Sequence, residues 1–129
     1  CSACYGCESG KCIKKDDMQD IYNDLQNADM LIFATPIYYY NFSAQLKNVI
    51  DRFYAIDEEL HTKKEVILLA TAYNDEERVT MPIQVELEAI CDYFGWKIKG
   101  TIYALGCGEV EDIKNSKYLK EAYKLGKNI

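Results

Sequence analysis

The sequence of 129 residues lacks several features that would point to a membrane or nucleic-acid-binding protein. No apolar run approaches the roughly 20 residues that a membrane helix needs. The net charge of -6 disfavours nucleic acid and anionic membranes as main partners, because both would repel an acidic surface. The only histidine, His61, lies in a polar stretch, and a single imidazole without partners gives little signal of a site. The sequence predicts a soluble protein that binds neither nucleic acid nor membrane.

Cysteine is the residue type that is unevenly distributed. Four of the six cysteines, Cys1, Cys4, Cys7 and Cys12, form a C-x2-C-x2-C-x4-C run. The short spacings allow three thiolates to converge on one face of a compact cluster, and the fourth can close the cage after a turn at Ser9 and Gly10. We interpret the run as a metal site and favour a 4Fe-4S cluster.

Two alternatives remain open for this run. Four thiolates also suit tetrahedral zinc, although structural zinc sites usually pair two separated C-x2-C knuckles, and the thiols could serve redox chemistry without a metal. Only Cys91 and Cys107 lie outside the run, whereas a secreted disulfide scaffold would distribute its cysteines through the fold. We therefore expect reduced thiols in a cytoplasmic protein, with structural roles for Cys91 and Cys107.

Apolar runs and helical periodicity alternate after the cysteines. Residues 30–34, 66–70 and 97–105 are predicted strands, and the uninterrupted apolar run at 30–34 is typical of a strand covered by helices on both faces. The amphipathic helices between and beside them have predicted buried positions at Met18, Ile21, Tyr22, Leu25 and Ala28; Leu46, Val49, Ile50 and Phe53; Ile83, Leu87, Ile90, Cys91 and Phe94; and Leu119, Ala122 and Tyr123. Such alternation predicts one α/β domain over residues 1–129 with a parallel sheet, preceded by a cysteine-rich loop at 1–15.

Two loops follow the first two predicted strands. Ligands of open parallel sheets bind beyond the carboxyl ends of the strands, so both loops are candidate binding segments. Their tyrosines can stack on a flat aromatic ligand while backbone amides and Asn41 meet its polar edge. Alternatively, the tyrosines pack a strand end or a subunit interface, and Asn41 or Ser43 only caps the following helix.

Five stretches of the chain resemble one superfamily. They are residues 12–18 (CIKKDDM), 34–47 (ATPIYYYNFSAQLK), 51–52, 95–100 and 121–127 (EAYKLGK). The sequence resembles the flavodoxin-like NAD(P)H-dependent FMN reductase superfamily, and its four cysteines narrow the resemblance to the iron-sulfur flavoprotein branch.

The resemblance implies a flavodoxin-like three-layer sandwich and an oxidoreductase that binds FMN and a 4Fe-4S cluster. It places the first loop against the isoalloxazine ring and the second on the other side of the ring, with the cluster nearby. The implied flavin contacts are Thr35, Pro36, Ile37, Tyr38, Tyr39, Tyr40, Asn41, Phe42 and Ser43, together with Ala72, Tyr73 and Asn74. It also implies electron transfer from NAD(P)H or ferredoxin to a small acceptor in a homo-oligomer. The alternative is a non-enzymatic electron carrier or a zinc-stabilised domain.

The sequence departs from the family pattern before the cysteines. Members of the family normally begin with a strand, a phosphate-binding loop of the Gly-Ser-Pro type and a second strand, and none of these precedes Cys1. We therefore expect a chain truncated at its N-terminus, without its first βαβ unit, whose strand ending at Ala34 has an exposed edge.

This departure predicts weak flavin binding. A phosphate loop supplies backbone N–H groups and a helix N-terminus to the FMN phosphate, and nothing in these residues replaces it. In a titration followed by flavin fluorescence, we expect the 129-residue chain alone to bind FMN poorly. Tight binding would show that the loops after the strands suffice.

Overall fold

The structure is a computed structural model, and it describes residues 1–8 and 10–129. Ser9, half of the predicted turn with Gly10, lies outside the described residues. The helices and strands alternate as predicted, except that a short unpredicted helix follows α2: α1 (Met18–Asn27), β1 (Met30–Pro36), α2 (Ala44–Ile50), α3 (Asp57–Leu60), β2 (Glu65–Thr71), α4 (Met81–Phe94), β3 (Lys97–Ala104) and α5 (Tyr118–Gly126). Short 3-10 helices span Phe53–Ile56, Glu77–Thr80 and Asp112–Asn115. Within the described part of the chain, no helix combines the length and apolar composition that a membrane crossing needs.

The three strands of the described residues form one parallel sheet in the order β1-β2-β3. Pro36 pairs with Thr71, and Thr71 pairs with Ala104, so all three strands end at the same edge. The loops that follow the first two strands therefore start side by side, as the sequence predicted.

Strand β2 lies at the centre of the sheet and is its most buried strand. Val66 and Leu68 are completely buried, and Ile67 is 2% exposed. Burying each such side chain contributes roughly 1.5–3 kcal/mol of transfer free energy. The uninterrupted apolar sequence of β2 is thus matched by side chains that are buried on both faces of the sheet.

Helices α1 to α4 cover one face of the sheet and form the main core with it. Phe33 of β1 meets Phe42 edge to face at 6.3 Å between ring centroids. Trp96, which directly precedes β3, is buried, and its indole N–H donates to the Leu60 carbonyl at 2.9 Å. Phe53 is buried as predicted, although it belongs to the 3-10 helix after α2.

On the other face of the sheet, α5 packs on β3. The side chains of β1 on that face are left uncovered. Ile32 is 55% exposed and Ala34 is exposed, so the prediction that β1 is buried on both faces was wrong. Leu119 and Tyr123, expected in the buried stripe of α5, are exposed as well. The apolar composition of β1 was read correctly, but no described helix reaches its second face. The predicted edge position of β1 is confirmed.

Several helix ends follow from local sequence. Pro82 stands in the first turn of α4, where a missing N–H costs nothing, and Gly95 ends the helix at a φ of 73°. The end of α1 depends on a contact that the sequence did not indicate. Lys64 is 4% exposed, and its ammonium group donates to the carbonyls of Gln26 (3.2 Å) and Ala28 (2.6 Å).

The attachment of α5 to the sheet can be tested at Gly100. A Cβ atom there would lie 2.8 Å from Leu125 Cδ1, which is shorter than any ordinary carbon contact. We expect Gly100→Val to lower the free energy of unfolding by about 1–3 kcal/mol, the usual cost of overpacking. Urea unfolding followed by circular dichroism measures this. Gly126→Ala is the control, since its added methyl meets no atom within 4 Å; equal stability of both variants would contradict this packing.

Candidate functional site

The cysteine loop precedes α1 and folds back on itself. Cys1 and Cys4 are exposed, whereas Cys7 and Cys12 are half-buried. Gly10 N–H donates to the Cys7 carbonyl at 2.8 Å and closes a turn between the last two cysteines. The loop is thus compact despite its lack of regular secondary structure.

All four cysteines of the run line one cavity of about 360 Å³. Its remaining wall comes from the start of α1 and from the segment after α2, including Tyr22, Arg52 and Tyr54. The cavity has room for a group much larger than one metal ion. In the part of the chain that the structure describes, no three His, Cys, Asp or Glu side chains are gathered closely enough to hold a single metal ion. The metal-binding role of Cys1, Cys4, Cys7 and Cys12 therefore stays a prediction.

Arg52 and Lys14 are the two basic side chains that line this cavity, and Arg52 is the more buried of them. Its Nη1 atom lies 2.5 Å from Asp16 Oδ2, and its Nη2 donates to Cys12 Sγ at 3.4 Å. The Arg52 side chain is only 11% exposed, whereas the Asp16 side chain is 46% exposed, so water screens this ion pair from the Asp16 side. Gln19 supports the same loop by donating to the carbonyls of Cys12 (3.1 Å) and Lys14 (2.8 Å).

These contacts favour the thiolate form of two cysteines. The Lys14 backbone amide and the Arg52 guanidinium hold the pKa of Cys12 below its usual value. The Gly6 backbone amide and the Ser2 hydroxyl do the same for the pKa of Cys4. Arg52 also holds the pKa of Asp16 below its usual range, so the ion pair persists at neutral pH. Thiolates are the form of cysteine that binds metals.

The cavity also contains donors that suit an added acceptor. The Tyr22 hydroxyl and Arg52 Nε are buried and have no hydrogen-bond partner among the described residues. Burial raises the pKa of Tyr22, which keeps the phenol protonated. Four cysteine sulfurs, a cation and unsatisfied donors fit a sulfur-rich anionic group.

The second candidate region begins where β1 ends. Tyr38 and Asn41 exchange two backbone hydrogen bonds, 3.1 and 3.2 Å long, around Tyr39 and Tyr40. The two central tyrosines have φ angles of 46° and 69°, the left-handed region that a two-residue hairpin turn of this kind requires. All three tyrosine side chains are exposed. We call this segment, Tyr38 to Asn41, the tyrosine turn.

Thr35 and Ser43 fix the ends of the loop that contains the tyrosine turn. Ser43 N–H donates to Thr35 Oγ1 at 3.0 Å, and Ser43 Oγ accepts from Leu46 N–H at 3.4 Å as the cap of α2. Asn41 Oδ1 accepts from the Phe42 N–H at 2.7 Å. Ser43 is thus a helix cap, whereas Asn41 stabilises the turn.

The loop after β2 lies beside the first one. Ile37 N–H donates to the Thr71 carbonyl at 2.7 Å and joins the two loops. Tyr73 is 86% exposed, and its ring lies against Gly108, where any Cβ would come within 2.6 Å of the ring. Asn74 Oδ1 accepts from the Glu76 N–H at 2.7 Å. The sequence prediction that both loops share one edge is confirmed.

The predicted flavin contacts differ in what they can offer a ligand. The exposed tyrosines present rings at this edge, while the side chains of Thr35, Phe42, Ser43 and Ala72 are buried. Pro36 and Ile37 are half-buried. Buried residues in such a loop can meet a ligand only through their backbone, so all of these contacts stay predictions.

The sequence did not identify Arg52 and Tyr22 as site residues. Tyr22 was predicted only as a buried position of α1, and Arg52 only as part of a family-like stretch. The one available signal was that Arg52 follows the buried end of α2, since a cation beside a buried segment needs a nearby anion.

Comparison with known proteins places the chain in a family. The family model for NADPH-dependent FMN reductase matches residues 3–105. The chain belongs to this family. An iron-sulfur flavoprotein of Archaeoglobus fulgidus is 29% identical over 133 aligned positions, which cover 100% of the chain and 58% of the relative. One of Methanocaldococcus jannaschii is 45% identical over 56 residues, or 43% of the chain and 28% of the relative. The chain thus spans little more than half the length of the first relative.

Solved structures confirm the flavodoxin-like fold of this FMN reductase family member. The Trp repressor binding protein from Bacillus subtilis superposes with a TM-score of 0.71 at 25% identity, covering 87% of the chain and 71% of that protein. The flavodoxin, WrbA-like protein from Agrobacterium tumefaciens gives a TM-score of 0.57 at 17% identity, covering 82% and 73%.

Cysteine reactivity tests the environments described above. Burial raises the pKa of Cys91 to about 11, whereas Cys4 is exposed and its pKa is lowered. We expect iodoacetamide at pH 8 to modify Cys91 roughly a hundredfold more slowly than Cys4 in the folded, metal-free chain. Peptide mass spectrometry measures both rates. In urea the two rates should become similar, and equal rates in the folded chain would contradict the buried position of Cys91.

Proposed function

We propose that the protein is an FMN-dependent oxidoreductase that passes electrons between a reduced donor, a 4Fe-4S cluster and a small acceptor. The observation that carries this proposal is the cavity lined by all four cysteines of the run, in a chain of the FMN reductase family. The relatives named iron-sulfur flavoproteins support the same combination of cofactors.

Cys1, Cys4, Cys7 and Cys12 are the proposed cluster ligands. The lowered pKa values of Cys4 and Cys12 favour thiolates there before any metal arrives. The cation of Arg52 offsets part of the negative charge that four thiolates bring together. Bound at these sites, the cluster would supply one-electron chemistry, and FMN both one- and two-electron chemistry.

The proposed flavin site is the edge formed by the tyrosine turn and the loop at Ala72, Tyr73 and Asn74. Exposed tyrosine rings can stack on a flat ring system, and the backbone amides of these loops can meet its polar edge. Helix α2 begins at this edge, and the cysteine cavity contains Asp51 and Arg52, which follow its end. Because seven helical residues rise about 10 Å, the two sites are separate.

The partners are proposed from the same chemistry. NAD(P)H or ferredoxin would supply electrons, and a small molecule would accept them. We further propose a homo-oligomer, since the exposed tyrosines suit a contact between subunits. We also propose a cytoplasmic location, because the cysteines are free thiols.

Metal analysis tests the proposed cluster. We expect the anaerobically purified chain to contain iron and acid-labile sulfide in equal amounts, about four of each per chain. Cys12→Ser should lose most of both, because one of four ligands is removed. Cys107→Ser is the matched control, since Cys107 is half-buried and lies outside the run.

Other metal contents would reject the proposal in defined ways. Zinc without iron would replace the redox cluster by a structural site. Iron that survives unchanged in Cys12→Ser but is lost in Cys107→Ser would show that a different set of cysteines binds it.

A further inference from the structure

Arg52 contacts a proposed cluster ligand and is itself held in a fixed orientation. Its Nη2 donates to Cys12 Sγ at 3.4 Å while Nη1 pairs with Asp16 at 2.5 Å. The planar guanidinium presents donors in a rigid fork, so one ion pair determines where the other donors point. Asp16 thus orients the donor that reaches the sulfur.

The ring of Tyr22 contacts the guanidinium group of Arg52. The guanidinium carbon of Arg52 lies 5.8 Å from the centre of the Tyr22 ring, within the range of a cation–π contact. Tyr22 is 7% exposed, so the ring that the guanidinium contacts is itself packed in the core. Arg52 Nε and the Tyr22 hydroxyl are buried and have no hydrogen-bond partner among the described residues.

We propose that Arg52 is a positioning residue for Cys12 and that it raises the reduction potential of the cluster. This inference rests on the proposed function, in which Cys12 binds the cluster. Reduction by an added one-electron reductant gives the cluster one further negative charge. A cation and an N–H···S hydrogen bond stabilise that more negative state, and hydrogen bonds to the sulfurs are a recognised determinant of cluster potentials.

Three variants separate the hydrogen bond, the charge and the general effect of surface charge. Arg52→Gln removes the cation, and Arg52→Lys keeps it but cannot serve Asp16 and Cys12 with one rigid fork. Lys124→Gln is the matched control because it removes one positive charge from an exposed position of α5, which lies on the opposite face of the sheet from α1 and α2.

The experiment is a potentiometric titration of the anaerobically prepared full chain, followed by electron paramagnetic resonance, after iron and sulfide have been measured. We expect Arg52→Gln to shift the reduction equilibrium about tenfold toward the oxidised cluster, which is 59 mV for one electron. Arg52→Lys should shift it in the same direction by less, and Lys124→Gln should leave it unchanged.

Each outcome supports or overturns the inference. A fully loaded Arg52→Gln chain with the wild-type potential overturns it. If Arg52→Gln does not fold, the potential of Arg52→Lys decides, and a wild-type value overturns the inference. A wild-type chain without iron and sulfide overturns the proposed function, and the inference fails with it. The metal content of the wild type and the potentials of the variants therefore distinguish the two failures.

Discussion

Strand β2 pairs along its whole length with β1 and β3, and this pairing fixes where the loops of the chain begin. Its apolar side chains are almost wholly removed from water on both faces, although its pairing with β3 shifts register once, between Val66 and Ile67. The parallel pairing brings Pro36, Thr71 and Ala104 to one edge. The tyrosine turn and the loop after β2 become neighbours for this reason alone, although they are more than thirty residues apart in sequence.

The cysteine loop depends on a different kind of interaction. It has little apolar surface of its own in the core, and Arg52 joins it to the rest of the domain through Asp16 and Cys12. Burying a guanidinium is unfavourable unless its donors find acceptors. Asp16 supplies one, the cysteine sulfur another, and Nε still lacks one. Arg52 is therefore most stable when more negative charge gathers in the cavity, which is the condition that four bound thiolates create.

The sequence predicted those parts of the fold that local physics determines. Helical periodicity located α1 and α4, and apolar runs located all three strands. The open face of β1 was not predictable, because an apolar run does not reveal whether a helix is present to cover it. Arg52 was missed because its contact with Cys12 joins residues 40 positions apart. Such a contact exists only after α1 and α2 have packed on the same face of the sheet.

Both candidate sites contain residues with a strained backbone. Among the described residues, the non-glycine positions with positive φ are Ala3, Tyr5, Tyr39 and Tyr40, two in the cysteine loop and two in the tyrosine turn. Such conformations cost about 1–3 kcal/mol each and persist only where the surroundings impose them, often at ligand sites. The two-residue turn usually takes Asn-Gly, which adopts positive φ with little strain, yet here it carries exposed tyrosines. Stability does not account for that choice, whereas two aromatic rings presented at the carboxyl edge of the sheet would serve to bind a flat ligand.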